Sequence, residues 1–229
     1  MRGHKSFVRS AKMYQRGTPR GYEISDKVLL IVTEGEKTEP NYLKALCDRL
    51  RLSATDIEIV HPEGTDPLTL VRTAVDLRNK RKNAAKKGFS VEYDEVWVVF
   101  DMERPHDERR RLAVQAKALP EASEIKFACS DPCFEYWLLL HEEYTTASFA
   151  DWKAVVRRLK KHWKDYAKGQ QPTHEFLQKV PTAVTHAERC RVHHRNGGGD
   201  GNPSTEVDRL VRSMNDSTRP HLRYAIPSE

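Results

Sequence analysis

Two short loops carry the residues best suited to chemistry. The first, residues 33–39 (TEGEKTE), places Glu34, Glu36 and Glu39 within six residues, with Gly35 behind the first of them. Carboxylates this close repel one another unless a cation sits among them. A hard divalent ion such as Mg2+ or Mn2+ needs one or two carboxylates and keeps waters for a substrate phosphate. The second loop, residues 100–105 (FDMERP), sets Asp101 and Glu103 two apart. Residues two apart on an extended exit from a strand point the same way, so both can serve one ion. Glu34, Asp101 and Glu103 therefore form a candidate ligand set for Mg2+ or Mn2+. Such an ion polarises a phosphoryl oxygen and lowers the pKa of a bound water, with Glu34 or an unliganded neighbour as general acid or base. A helix starting at Thr38 explains Glu39 by the helix dipole alone, but not Glu34, which lies ahead of it. Lys37 and Arg104 stand beside these acids, suited either to hold a scissile phosphate or to neutralise carboxylates.

The elements that must position these loops are legible as periodicity. Residues 27–33 (KVLLIVT), 56–60 (DIEIV), 94–100 and 124–129 are short apolar runs with the length of buried strands. Between them, 38–50, 66–87 and 106–119 show helical spacing, and 131–141 starts a further helix with Pro132 at its first position. Strand–helix alternation repeated four times predicts an α/β fold, a parallel four-stranded sheet flanked by helices. Ligands of such sheets bind at the carboxyl ends of the strands, which is where both acidic loops fall. Beyond residue 148 only helices are expected, at 151–166, 180–195 and 203–214. This predicts a basic arm at 1–23, an α/β core at 24–148 and a basic helical extension at 149–229.

Composition narrows the partners. The chain has 229 residues, 31% of them charged, and a net charge of +6, which favours acidic partners and nucleic acid first. No apolar run approaches the 18 or so residues of a membrane span. Four cysteines without a CxxC pair, and no apolar leader at the N-terminus, point to a reducing cytoplasm. The first 20 residues hold six Lys or Arg and no acid. In 151–166, Arg157, Arg158, Lys160, Lys161 and Lys164 crowd one side of a helix whose other side carries Trp152, Val155, Leu159 and Trp163. The charges suit a phosphate-tracking surface beside aromatics; an amphipathic helix with solvated lysines is the plainer alternative, and Trp152 is expected in the core. Cys190, His193 and His194 have ligand types but no zinc spacing. Cys133 reads as a buried small residue. The glycines of 196–202 match no phosphate-cradling fingerprint, so any ATPase involved is a separate chain.

Four blocks carry a family resemblance. An apolar strand ending in Glu-Gly, followed at the third strand by Asp-x-Asp, resembles the signature of the Toprim domain of topoisomerases, primases and related nucleases. More closely, residues 31–42 (IVTEGEKTEPNY), 98–103 (VVFDME), 130–141 (SDPCFEYWLLLH) and 202–211 (NPSTEVDRLV) resemble the RloB-like family of bacterial defence-associated proteins. The resemblance implies a Toprim-like fold and an Mg2+-dependent nuclease in anti-phage defence or abortive infection. On it, Glu34 matches the Toprim glutamate and Asp101 the first Asp of Asp-x-Asp. The second is Glu103 here, one methylene longer, which leaves Asp107 as an alternative ligand. Glu135, in the block resembling Ser-Asn-Pro-Cys-Phe-Glu, is a further candidate for the same metal cluster. A non-catalytic nucleic-acid-binding or regulatory subunit of a separate ATPase is the competing expectation. DNA versus RNA, and whether the chain forms a homo-oligomer, stay open.

Overall fold

A computed structural model describes residues 27–53, 56–102, 107–197 and 201–227. The basic arm expected at 1–23 lies outside the described residues. Strand β1 (Leu29–Thr33) is buried along its whole length, as a strand covered on both faces must be. Helix α1 (Thr38–Leu50) follows, then β2 (Ile57–Val60) and α2 (Pro67–Lys86). The Asp66 side chain caps α2 by accepting the Thr69 N–H at 3.0 Å, and proline takes the first position, where no N–H is missed. Strand β3 (Glu95–Asp101), α3 (Asp107–Lys117), β4 (Ile125–Asp131) and α4 (Phe134–Leu140) complete the alternation. The remainder comprises α5 (Trp152–Leu159), α6 (His174–Leu177), α7 (Val180–Gly197), β5 (Ser204–Thr205) and α8 (Val207–Asp216).

The sheet order is β2-β1-β3-β4-β5. The first four strands are mutually parallel, as expected, but the sheet has five strands rather than four. The fifth is antiparallel and pairs Ser130 with Thr205 and Asp131 with Ser204. A two-residue strand has no periodicity to read, so the sequence pattern shows only helix there. For the same reason the last helix begins at Val207 rather than at 203. Pairing with β5 also carries β4 on to Asp131, so α4 starts at Phe134 and Pro132 precedes it instead of opening it. The helix expected over 151–166 stops at Leu159, because tertiary contacts of Tyr166 and Gly169 win over helical spacing.

Alternation along the strands splits the core in two. Leu29, Ile31, Trp97, Val99 and Ala128 pack under α1 and the helices from α4 onward. Leu30, Val32, Val96, Val98 and Phe100 pack under α2 and α3. Every residue of α4 is buried, and all but Glu135 are aliphatic or aromatic. No helix among the described residues is long and apolar enough to cross a membrane.

Candidate functional site

Strands β1 and β3 are neighbours although they are not consecutive, so the chain reverses its winding between them. In open α/β sheets such a switch point opens a crevice at the carboxyl edge. Glu34 leaves β1 at that edge and Asp101 ends β3 beside it. The Glu34 N–H donates to the Val99 carbonyl at 3.0 Å, continuing the ladder one residue past β1. The Glu34 Oε2 accepts the Asp101 backbone N–H at 2.8 Å. An ion pair joins that same oxygen to Arg109 Nη2, and the Arg109 Nε–H donates to the Asp101 carbonyl at 2.5 Å. One guanidinium thus ties the two strand ends together.

Two further carboxylates converge there. Glu39, in the first turn of α1, is 4% exposed, and its Oε1 accepts the Gly35 N–H at 3.0 Å. A Cβ on Gly35 would stand 1.9 Å from Glu39 Oε2, so the glycine is required by this close approach. Burial, reinforced by the charges of Glu135 and Glu34, pushes the Glu39 carboxyl up to about 7. Glu135, in α4, is buried and accepts the Tyr166 hydroxyl at 3.1 Å. Burial, then the charges of Glu39, Glu34 and Glu135, raises the Asp101 carboxyl well above the usual carboxylate range, against the pull of the Phe134 backbone amide. Its Oδ1 is buried without a hydrogen-bond partner among the described residues.

These residues fit a hard cation in donor chemistry: all are carboxylate oxygens, and one buried oxygen has no partner. Among the described residues, however, no three His, Cys, Asp or Glu side chains are gathered closely enough to hold an ion as they stand. Glu103, Arg104 and the Asp107 side chain lie outside the described residues. Cys133 is buried near Glu135 and Asp101, both of which, after burial itself, raise its thiol pKa. Cys190 meets the Tyr136 hydroxyl and His194 the Pro203 carbonyl, so these ligand types go to separate partners.

The basic segment after α5 docks against the acidic loop. The Gly169 N–H donates to Thr38 Oγ1 at 3.0 Å, and Asn41 Nδ2 donates to the Gly169 carbonyl at 2.6 Å. Gly169 has φ +84°, and a Cβ there would meet Lys37 at 2.8 Å. Lys37, Arg157, Lys160, Lys161 and Lys164 are exposed. Arg158 is bound to Glu143, which also meets His162 at 2.9 Å. Among the aromatics, Trp152 departs from its expected place and the others follow the amphipathic alternative. Tyr166 is buried on Glu135, and Trp163 packs on Tyr166 and Phe176. Trp152, expected in the core, is 42% exposed with Lys153 and Lys168 each 5.8 Å from its ring centroid. Its spacing from the buried Val155 and Leu159 puts it on their stripe, but it is the first residue of α5, at the stripe's end.

Sequence reasoning missed Arg109, Tyr166 and the position of Glu39. Arg109 had a signal: it lies four before Ala113 and seven before Ala116, both buried, so helical geometry turns it inward. Glu39 had a weaker one, its spacing of four from Gly35. Tyr166 had none, since its place depends on where α5 ends.

No curated protein matches the chain. The family model for RloB-like proteins matches residues 29–214, from the start of β1 to the last turns of α8. That span takes in Glu34, Glu39, Asp101, Arg109 and Glu135 together with the helices that cover them, and the chain belongs to the RloB-like family.

Proposed function

We propose that this chain is a metal-dependent nuclease, hydrolysing phosphodiesters of DNA or RNA, tRNA included, on a Toprim-like fold. The observation that carries this reading is the buried, unpartnered Oδ1 of Asp101, set among Glu39, Glu34 and Glu135 at the carboxyl edge of adjacent parallel strands. A buried oxygen surrounded by like charge costs free energy that a hard cation relieves. Asp101 and Glu34 would hold Mg2+ or Mn2+, with Glu135, Glu103 and Asp107 as further oxygen donors. A bound ion supplies Lewis acidity toward a phosphoryl oxygen and a water of lowered pKa. Glu39, with its carboxyl pushed up to about 7, exchanges a proton near neutral pH while Gly35 pins its Oε1. Lys37, Arg157, Lys160, Lys161 and Lys164 offer charge to a nucleic-acid backbone beside the acids, and Arg104 extends that reading. The setting in anti-phage defence or abortive infection, and a partner ATPase, rest on the family resemblance, and the cytoplasm on cysteine usage and the N-terminal composition.

A second reading has its own observation. Arg109 already neutralises Glu34, and no three described donors gather, as suits a non-catalytic nucleic-acid-binding or regulatory subunit. The deciding experiment is cleavage of labelled plasmid, single-stranded DNA and total tRNA with Mg2+, Mn2+ or EDTA, beside Asp101→Ala. The nuclease reading expects metal-dependent cleavage that the variant loses by about a thousandfold or more while still binding substrate. Binding without cleavage by the wild-type chain, in either metal, transfers the site to the second reading.

A further inference from the structure

Arg109 belongs to a run of three arginines, and the three behave differently. Among the described residues Arg111 pairs with Glu108, at 3.7 Å, and Arg110 approaches Asp131 at 3.8 Å from a half-exposed position. Arg109 alone turns under the sheet edge, with its side chain 18% exposed and that of Glu34 13% exposed. A pair this sheltered is weakly screened by salt. The guanidinium sits on Glu34 Oε2, which already accepts the Asp101 N–H, and its Nε–H is fixed on the Asp101 carbonyl. It offsets the Glu34 charge, although its Nη2, like Asp101 Oδ1, is buried with no hydrogen-bond partner among the described residues. One delocalised positive charge is therefore an incomplete answer to the converging carboxylates. A divalent ion shared by Asp101 and Glu34 would compete with the guanidinium for the Glu34 carboxylate.

We propose that Arg109 is the resident counter-cation of this cluster, and that a divalent ion binds by exchanging with it at Glu34. This rests on the metal-site reading above and adds a positioning residue to it. Without the ion, Arg109 holds the ends of β1 and β3 together and keeps Glu34 out of the ligand set. With the ion, Glu34 turns from the guanidinium to join Asp101. The exchange lowers the protein's apparent affinity for the ion, because binding must first release an ion pair.

Calorimetric titration of the full chain with Mn2+ alone, without nucleic acid, tests this. Arg109→Gln is expected to bind Mn2+ at least about tenfold tighter than wild type, within the range of direct coupling between sites. Arg109→Lys, which keeps a charge but loses the Nε–H bond, is expected to fall between. A residue that only supports the fold would weaken metal binding when removed, not tighten it. Equal or weaker Mn2+ binding by Arg109→Gln, with clear binding by wild type, overturns the exchange and leaves the metal site standing. No Mn2+ binding by either protein overturns the metal site and the exchange with it. Should the variants fail to fold, the wild-type Arg109 Nε–H resonance carries the test. It is expected to shift and to exchange faster with solvent on saturation with Mg2+, and an unchanged resonance at saturation overturns the proposal.

Discussion

Strand β3 carries a carboxylate at each end, and their surroundings are opposite. Glu95, at the start, is met by Lys27 at 2.7 Å, Lys126 at 3.1 Å, the Trp97 indole N–H at 2.9 Å and the Ser213 hydroxyl at 2.6 Å. Burial works against its charge, yet these four donors hold its carboxyl down to about 2. Asp101, six residues on, meets burial and three like charges, and its pKa moves the other way. Glu95 draws donors from β3 itself, β4, α8 and the residues before β1, so it joins distant parts of the chain. Asp101 joins nothing through its buried oxygen. Strain of this kind, kept at the carboxyl edge of a parallel sheet, is what a functional cluster requires and a structural one avoids.

The comparison is most directly broken by neutralising each end. Glu95→Gln removes a charge that four donors were arranged to receive, and is expected to destabilise the fold by about 2 kcal/mol in urea unfolding at pH 7. Asp101→Asn removes a charge that its surroundings oppose, and is expected to be neutral or to stabilise by about 1 kcal/mol. If Asp101→Asn costs as much as Glu95→Gln, the two ends do not differ and the functional assignment of the cluster loses its physical ground.

The pH dependence sharpens the same contrast. Glu95 has a folded value of about 2 against an ordinary 4.5, so its stabilisation is present above pH 4.5 and is lost as pH falls toward 2. Glu39 has a folded value of about 7 against 4.5, so the stability linked to it is present below pH 4.5 and is lost as pH rises through 7. Unfolding free energy without divalent ions should thus decline on both sides, by on the order of 2 kcal/mol on the neutral side. Glu39→Gln should lessen the neutral limb, to which the raised Asp101 carboxyl also contributes, and Glu95→Gln should flatten the acid limb. A neutral limb undiminished in Glu39→Gln would remove the proton from Glu39.

Much of this contrast was legible beforehand, and its limits are physical. Buried parallel strands print their length in apolar runs, and α1 begins and ends where its spacing says. Glu34 and Asp101 stand out because acids directly after buried strands have no local explanation. What was not legible depends on approach between distant segments. Glu39 has a sufficient local reason to be acidic, and that reason hid its contact with Gly35. Ser204–Thr205 joins the sheet through two pairings and no pattern. Tyr166 reaches Glu135 only because α5 stops early. Glu95 looks like an ordinary strand-edge acid until Ser213, 118 residues away, is placed on it.

The smallest expected effect concerns the cations. At the Glu95 end, Lys27 and Lys126 are committed to the carboxylate, Lys126 also lies 5.4 Å from the Trp97 ring, and Arg209 pairs with Glu206. At the Asp101 end, Lys160, Lys161 and Lys164 are exposed and form no ion pair with a described residue. Free cations release counterions when they meet phosphates, whereas committed ones must first leave a partner. The triple Lys160→Ala, Lys161→Ala, Lys164→Ala variant should therefore weaken binding of single-stranded nucleic acid by about tenfold near 0.1 M salt, and lower the salt slope by about 2. Lys126→Ala should change neither. Fluorescence anisotropy across a salt series separates the cases, and an equal loss from Lys126→Ala would mean that nucleic acid follows net charge over the whole surface rather than the segment docked beside the carboxylates.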